Sequence, residues 1–231
     1  MKRIRVIGVC LVAVVAITAF AATTASASPE FFSKGVVGAT VPAVKYTGAI
    51  TTATLEPFPS KDKVVCNKGV ASGEVTGATS AVENFITFTE CAGASTKCKS
   101  EGQPNGTIQV GPLVGTLGAL SPTKPGIELE ELGGGKITEI NCGGVLEVTV
   151  EGKIFGDITG DSTVSVAASK LPTSLSMVFK EKSGVQEFLK FEGEAGSHQL
   201  EGLVNGKHEI QGQTATAKLV SSPVDNLGVT E

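Results

Sequence analysis

The sequence predicts an all-β fold: an antiparallel β-sandwich or partly closed barrel, single-domain and disulfide-stapled. Three observations predict it. Short segments rich in Thr, Val and Ile alternate apolar and polar residues with a period of two, as half-buried strands do. Turn-forming residues punctuate them. No stretch after residue 27 sustains the 3.6-residue apolar period of a helix.

The first residues predict the compartment. Lys2, Arg3 and Arg5 precede a charge-free apolar run from Val6 to Ala22, and Ala25-Ser26-Ala27 supplies the small-x-small pattern of a cleavage site. Residues 1–27 are expected to be a secretory signal peptide cleaved before Ser28, and residues 28–231 a single all-β extracellular domain. An uncleaved membrane anchor is the weaker reading, because the apolar run ends on that clean site. Cys10 follows Val9, where a lipidated export signal needs a small residue. No later apolar run is long enough to cross a bilayer, and "LPTSL" at Leu171 to Leu175 lacks the pattern of a sortase anchor. The mature chain is expected to be secreted and free of the membrane.

Removing that segment leaves 16 basic against 23 acidic residues, a net charge of −7, and no arginine. Phosphate and base-edge recognition draws on arginine and on a dense positive surface, so nucleic acid is not an expected partner. There is no tryptophan, and Tyr46 is the single tyrosine. Flat aromatic platforms are therefore missing, and any binding surface must use Phe, aliphatic, amide and hydroxyl groups.

About 200 residues suffice for one sizeable core. The expected strands are "GAITTATLE", "KVVC", "GEVTGATS", "NFITFTE", "GTIQV", "LVGTLGAL", "GIELEEL", "KITEINC", "VLEVTV", "TVSVAAS", "SLSMVFKE", "VQEFLKFEG", "HQLEGLV", "HEIQ" and "TATAKLV". In "VLEVTVEG", Leu146, Val148 and Val150 share one face and Glu147, Thr149 and Glu151 the other; Ile127 and Leu129 alternate with Glu128 and Glu130 in the same way. Ser183-Gly184 and Asn205-Gly206 lie between such runs. Both read as tight hairpin turns, which need residues that tolerate positive φ.

Four cysteines follow the signal segment, an even number suited to an oxidising compartment: Cys66, Cys91, Cys98 and Cys142. Zinc and redox motifs use closer C-x-x-C pairs, so bridges are expected. Three connectivities are possible. Cys91 and Cys98 enclose the polar hexapeptide "AGASTK", which suggests that they pair at a hairpin end and leave Cys66 to Cys142. "GEVTG" at Gly73 and "GKIFG" at Gly152, each following one of that second pair, suggest neighbouring strands.

No catalytic, cofactor-binding or metal-ligating residue is assigned, and no cofactor is expected. If the strands around Asn205-Gly206 pair, His208 faces Leu203 or Val204, and His198 lies about 17–20 Å away, too far to share a metal. Glu128 and Glu130 stand about 7 Å apart on one strand face, a separation open to two-carboxylate glycoside hydrolysis, but their alternation with apolar residues reads as a solvated outer face. Asp157 and Asp161 in "GDITGD" lack calcium-loop spacing. "VASGE" around Ser72 lacks the first glycine of a nucleophile elbow. "GGGK" from Gly133 to Lys136 lacks the phosphate-loop pattern and reads as a flexible turn. Asn105-Gly106-Thr107 matches an N-glycosylation acceptor.

"PEF" from Pro29, "FTEC" followed by "CKSEG", then "GTIQVGPLVGTLGAL", "INCGG", "GVQEFLKFEGE" and "LEGLVNG" together resemble a group of uncharacterised secreted all-β proteins of actinobacteria. The match runs over nearly all of the chain after the signal segment. The chain departs from the group in "PEFFSKG", which lacks an early cysteine. The resemblance implies secretion and disulfides and carries no catalytic residues. The expected function is a noncatalytic β-domain with a binding or structural role at the cell envelope or outside the cell, its partner a cell-envelope polymer or a protein. The alternative is a secreted hydrolase whose acidic residues meet His198 or His208 only on folding.

Overall fold

The structure, a computed structural model, describes residues 28–33, 36–37, 43–159, 163–164, 174–192, 194–195, 199–221 and 227–230. Among these the protein is all-β. Fourteen strands form one sheet: β1 (Val44–Ile50), β2 (Ala53–Phe58), β3 (Val64–Val75), β4 (Ser80–Gly93), β5 (Thr96–Ser100), β6 (Thr107–Val110), β7 (Leu113–Ser121), β8 (Lys124–Glu131), β9 (Lys136–Cys142), β10 (Leu146–Glu151), β11 (Lys153–Thr159), β12 (Leu175–Phe179), β13 (Glu201–Val204) and β14 (Lys207–Ser221). Its ladders are antiparallel throughout.

Long strands organise the sheet into two layers. β1 and β2 both lie between β3 and β14, with Ile50 opposite Gly69 and Ala217, and Ala53 opposite Cys66, so they act as one strand stepped at Thr51 and Thr52. The order β14, β1 with β2, β3, β4 makes the first layer. The second holds β7, β8 running on into β9, and β10 running on into β11, with Leu129 opposite Ile154 and Ile140 opposite Val148. β4 joins the layers at one edge through β5, β6 and β7; β14 joins them at the other through β12 and β13. The result is sandwich-like rather than a regular closed barrel. Between β12 and β13 the ladder is interrupted, and side chains stand in. Gln186 accepts from the Phe155 amide (3.0 Å) and donates to the Lys153 carbonyl (2.8 Å), while Gln211 donates to the Thr149 carbonyl (2.8 Å).

Period-two alternation builds the core between the layers. In β14, Ala215, Ala217 and Leu219 are buried while Thr214, Thr216, Lys218 and Val220 face out; Leu146, Val148 and Val150 are buried as their alternation predicts. Both expected hairpin turns form. Lys182 pairs with Val185 and Val204 with Lys207, and Ser183, Gly184, Asn205 and Gly206 all have positive φ.

Several expected strands differ. "GEVTGATS" breaks after Val75 into a turn closed by the Thr76 and Gly77 amides on the Ser80 carbonyl. "HEIQ" and "TATAKLV" are one strand. Among its described residues "VQEFLKFEG" pairs only at Val185–Gln186 and Lys190–Phe191, and it lies on the outer side of the second layer, where Phe191 stacks on Phe155 (5.9 Å) and the Glu192 amide donates to the Ala119 carbonyl. The apolar residues of that segment thus bury an outward ring, Phe155, instead of entering the ladder. A small second sheet pairs Phe31–Ser33 with Gly228–Thr230, and buries Phe31, Leu227 and Val229 where the Phe31 amide meets the Ala78 carbonyl.

Candidate functional site

The four cysteines stand in one row across β3, β4, β5 and β9, and all are buried. Cys66 lies directly opposite Cys91, and Cys98 opposite Cys142. The bridges are Cys66–Cys91 and Cys98–Cys142, each with Cα atoms 4.0 Å apart. The expected pairing, Cys91 with Cys98 and Cys66 with Cys142, is overturned, and the strand order gives the reason. Ala94 and Ser95, both at positive φ, form a two-residue turn that pairs Gly93 with Thr96 and Ala92 with Lys97; beyond these pairs Gly106 stands between the strands, accepting from the Cys91 amide and donating to the Cys98 carbonyl, so Cys91 and Cys98 are not a ladder pair. A bridge between those two would strand Cys66 and Cys142 three strand spacings apart, about 14 Å, beyond any disulfide's reach. Of the three connectivities only the observed one pairs every sulfur with a neighbour. In the chain-entropy picture the bridges, spanning 25 and 44 residues, contribute about 3.5 and 4 kcal/mol.

Tyr46, Gly73, Glu83 and Leu113 occupy successive places across β1, β3, β4 and β7 on the interior face. Glu83 is only 1 % exposed. Tyr46 reaches over Gly73 and donates from its hydroxyl to Glu83 Oε1 at 2.7 Å. Only glycine leaves that path open, because a Cβ at residue 73 would come within 2.4 Å of both the Tyr46 hydroxyl and the Val82 carbonyl oxygen. Burial pushes the Glu83 carboxyl up to about 7, the Tyr46 hydrogen bond offsetting only part of it. Burial likewise raises the Tyr46 phenol above its ordinary range, and the Glu83 charge and hydrogen bond add to it. Among the described residues Glu83 Oε2 has no hydrogen-bond partner. The Glu83 side chain belongs to the lining of a cavity of about 90 Å³ between the two layers, otherwise walled mostly by apolar side chains such as Ile50, Leu129 and Met177.

The other residues singled out by sequence are not drawn into one site. His208 is exposed, opposite Leu203 as predicted, with Glu201 at 3.8 Å. His198 and Asp161 lie outside the described residues, as do Ala25 and Ala27; Ser28 is described and exposed. Glu128 and Glu130 do share the outer face, but they clamp Lys153 between them at 2.7 and 3.0 Å and are not simply solvated. Burial lowers the Lys153 ammonium's pKa, yet the hydrogen bonds and charges of those two carboxylates outweigh it and leave it raised. Asp157 is buried on the outer side against Lys124 (3.1 Å) and Lys180 (3.8 Å). Among the described residues no group of three His, Cys, Asp or Glu is placed to hold a metal. Ser72 faces Thr47 and Phe85 across its ladders, so no base adjoins it there. Gly133 and Gly134 have positive φ in the turn joining β8 to β9, and Asn105 is exposed in a turn.

Sequence reading missed a second feature, the outer face of the first layer. Antiparallel sheets present polar residues to water, and here apolar ones intrude. Val220, Thr47, Ser72 and Phe85 form one row across β14, β1, β3 and β4, and Lys218, Ala49, Val70 and Thr87 form the next. Val70 is 60 % exposed, Phe85 51 % and Val220 45 %. Val220 and Phe85 flank the short side chains of Thr47 and Ser72, making a shallow trough about 14 Å across at the strand spacing. Each of these residues was visible in the sequence. Their convergence depends on strand order.

Fold and site together define a disulfide-bonded, sandwich-like antiparallel β-domain with an acid buried in its core and an apolar trough on its outer face. Compared with protein-family models, with curated proteins and with solved structures, the chain shows no match.

Proposed function

We propose that this chain is a secreted, noncatalytic β-domain with a binding role at the cell envelope or outside the cell, and that it engages its partner through the trough on β14, β1, β3 and β4. The observation that carries this reading is the cluster of exposed Val70, Phe85 and Val220 among Thr47, Ser72 and Thr87. Apolar groups gathered on a sheet face that otherwise presents polar residues mark interaction sites. The composition fits, since a chain with no tryptophan or, after its first residues, arginine must bind with Phe, aliphatic and hydroxyl groups. The signal-like residues 1–27, two buried disulfides suited to an oxidising environment, and the resemblance to secreted actinobacterial proteins support the location.

The test is co-sedimentation of the purified chain with isolated cell-envelope polymer, comparing wild type with the double variant Val70→Ser, Phe85→Ser. Saturable binding that weakens at least tenfold in the variant, with the fold intact by circular dichroism, is the expected result. Equal binding by both proteins would remove the trough from the account, and hydrolysis of the polymer by the wild type would favour an enzyme.

A further inference from the structure

The orphaned oxygen of Glu83 points to a second site, inside the protein. More than nine in ten buried polar groups find a partner, and a carboxylate oxygen left without one costs about 1–3 kcal/mol. Glu83 Oε2 is such an oxygen, on a side chain 1 % exposed that lines the interior cavity. The acid is fixed there. Its other oxygen receives the Tyr46 hydroxyl over Gly73, where a Cβ would collide with both the phenol and the backbone. The sequence thus spends a tyrosine and a glycine on holding a carboxyl group against a space bounded chiefly by aliphatic and aromatic side chains.

We propose that this cavity is a binding site for a small, neutral, unbranched and mostly apolar molecule bearing one hydrogen-bonding group, which meets Glu83 Oε2. Size limits the ligand. An engineered apolar cavity of about 150 Å³ takes benzene, so 90 Å³ suits about four non-hydrogen atoms by that scale. Shape limits it further, because the lining runs from Cys66 and Val150 in one half of the sandwich to Met177 and Leu219 in the other. The polar group sits beside Glu83, Leu113 and Ile50, and the apolar remainder lies along the cavity. Phe179 and Leu200 of the lining lie at the interruption between β12 and β13, where the Gln186 and Gln211 side chains bridge to Phe155, Lys153 and Thr149. This site is independent of the outer trough.

The probe is 1-propanol, titrated into the isotopically labelled chain while methyl NMR shifts are followed. Saturable shifts at the Met177, Ile50 and Leu129 methyls, with a Kd in the millimolar range expected of so few atoms, are predicted. Glu83→Leu should weaken binding at least fivefold. Because that variant leaves the Tyr46 hydroxyl without its acceptor at a cost to the fold, Ala217→Leu, which fills the cavity and keeps the acid, is the second variant and should abolish the shifts. Xenon, which needs no hydrogen bond, should bind wild type and Glu83→Leu alike. Shifts that never saturate, that scatter over the surface, or that survive Ala217→Leu would overturn the site. So would a single buried water at Glu83 that 1-propanol does not displace.

Discussion

Replacing Glu83 with glutamine isolates the energetic consequence of burying an acid in this core. The unfolded chain holds this carboxyl near its ordinary 4.5, whereas burial raises it to about 7 in the folded protein. Below pH 4.5 both states carry the proton and its contribution to stability is fully present. As pH rises from there, the unfolded chain releases the proton first and stability falls, until the folded protein also ionises near pH 7. At 1.36 kcal/mol per pH unit the loss is about 3 kcal/mol. Glutamine keeps the acceptor for the Tyr46 hydroxyl and cannot ionise, so the variant should lack this dependence. Other carboxylates titrate equally in both proteins, and the informative quantity is the difference between them. Urea unfolding at pH 4 and pH 8 should show Glu83→Gln gaining about 3 kcal/mol on wild type across that interval, or about 6–12 °C in Tm for a domain of this size. Parallel stability curves for the two proteins would refute the reasoning, for they would mean that Glu83 ionises in the folded state as easily as in water.

Gly73→Ala should cost about 1–3 kcal/mol, because its Cβ would press the Tyr46 hydroxyl and the Val82 carbonyl oxygen; chemical denaturation would measure it, and a loss below a few tenths would show the notch to be unnecessary. Asn-Gly in place of Ala94-Ser95, a turn with φ of 46° and 63°, should stabilise by roughly 0.5–1 kcal/mol with no change in the disulfides, read from Tm. Removing the Cys98–Cys142 bridge by the double change Cys98→Ala, Cys142→Ala should cost about 4 kcal/mol, slightly more than removing Cys66–Cys91 in the same way, because it closes the longer loop.

The strands were legible wherever one face is buried, because period-two alternation is written directly in segments such as Leu146 to Val150 and Ile127 to Glu130. The turns were legible where glycine or asparagine announces positive φ, at Ser183-Gly184 and Asn205-Gly206. Ala94-Ser95 carries no such residue. "AGASTK" therefore read as a six-residue loop joining two cysteines, when it holds a tight turn that sends each cysteine toward a different neighbour. Glu83 was hidden by a local irregularity. Ile86 and Phe88 face inward, and strict alternation from them would turn Glu83 outward; the register shift that pairs Ser72 with Phe85 but Gly73 with Glu83 leaves Asn84 unpaired and reverses the parity. The outer trough draws two or three residues from each of four strands, β14, β1, β3 and β4. No local pattern encodes that order, which long-range pairing alone decides.

The row of four cysteines is where strand order, core packing and compartment meet, and a nonreducing peptide map of the purified protein tests it most directly. The account predicts no free thiol after residue 27 and two cross-linked products, Cys66 with Cys91 and Cys98 with Cys142. Recovery of Cys91 joined to Cys98, or of free thiols in the purified protein, would contradict it, since β3, β4, β5 and β9 could not then stand side by side with every sulfur bound to its neighbour.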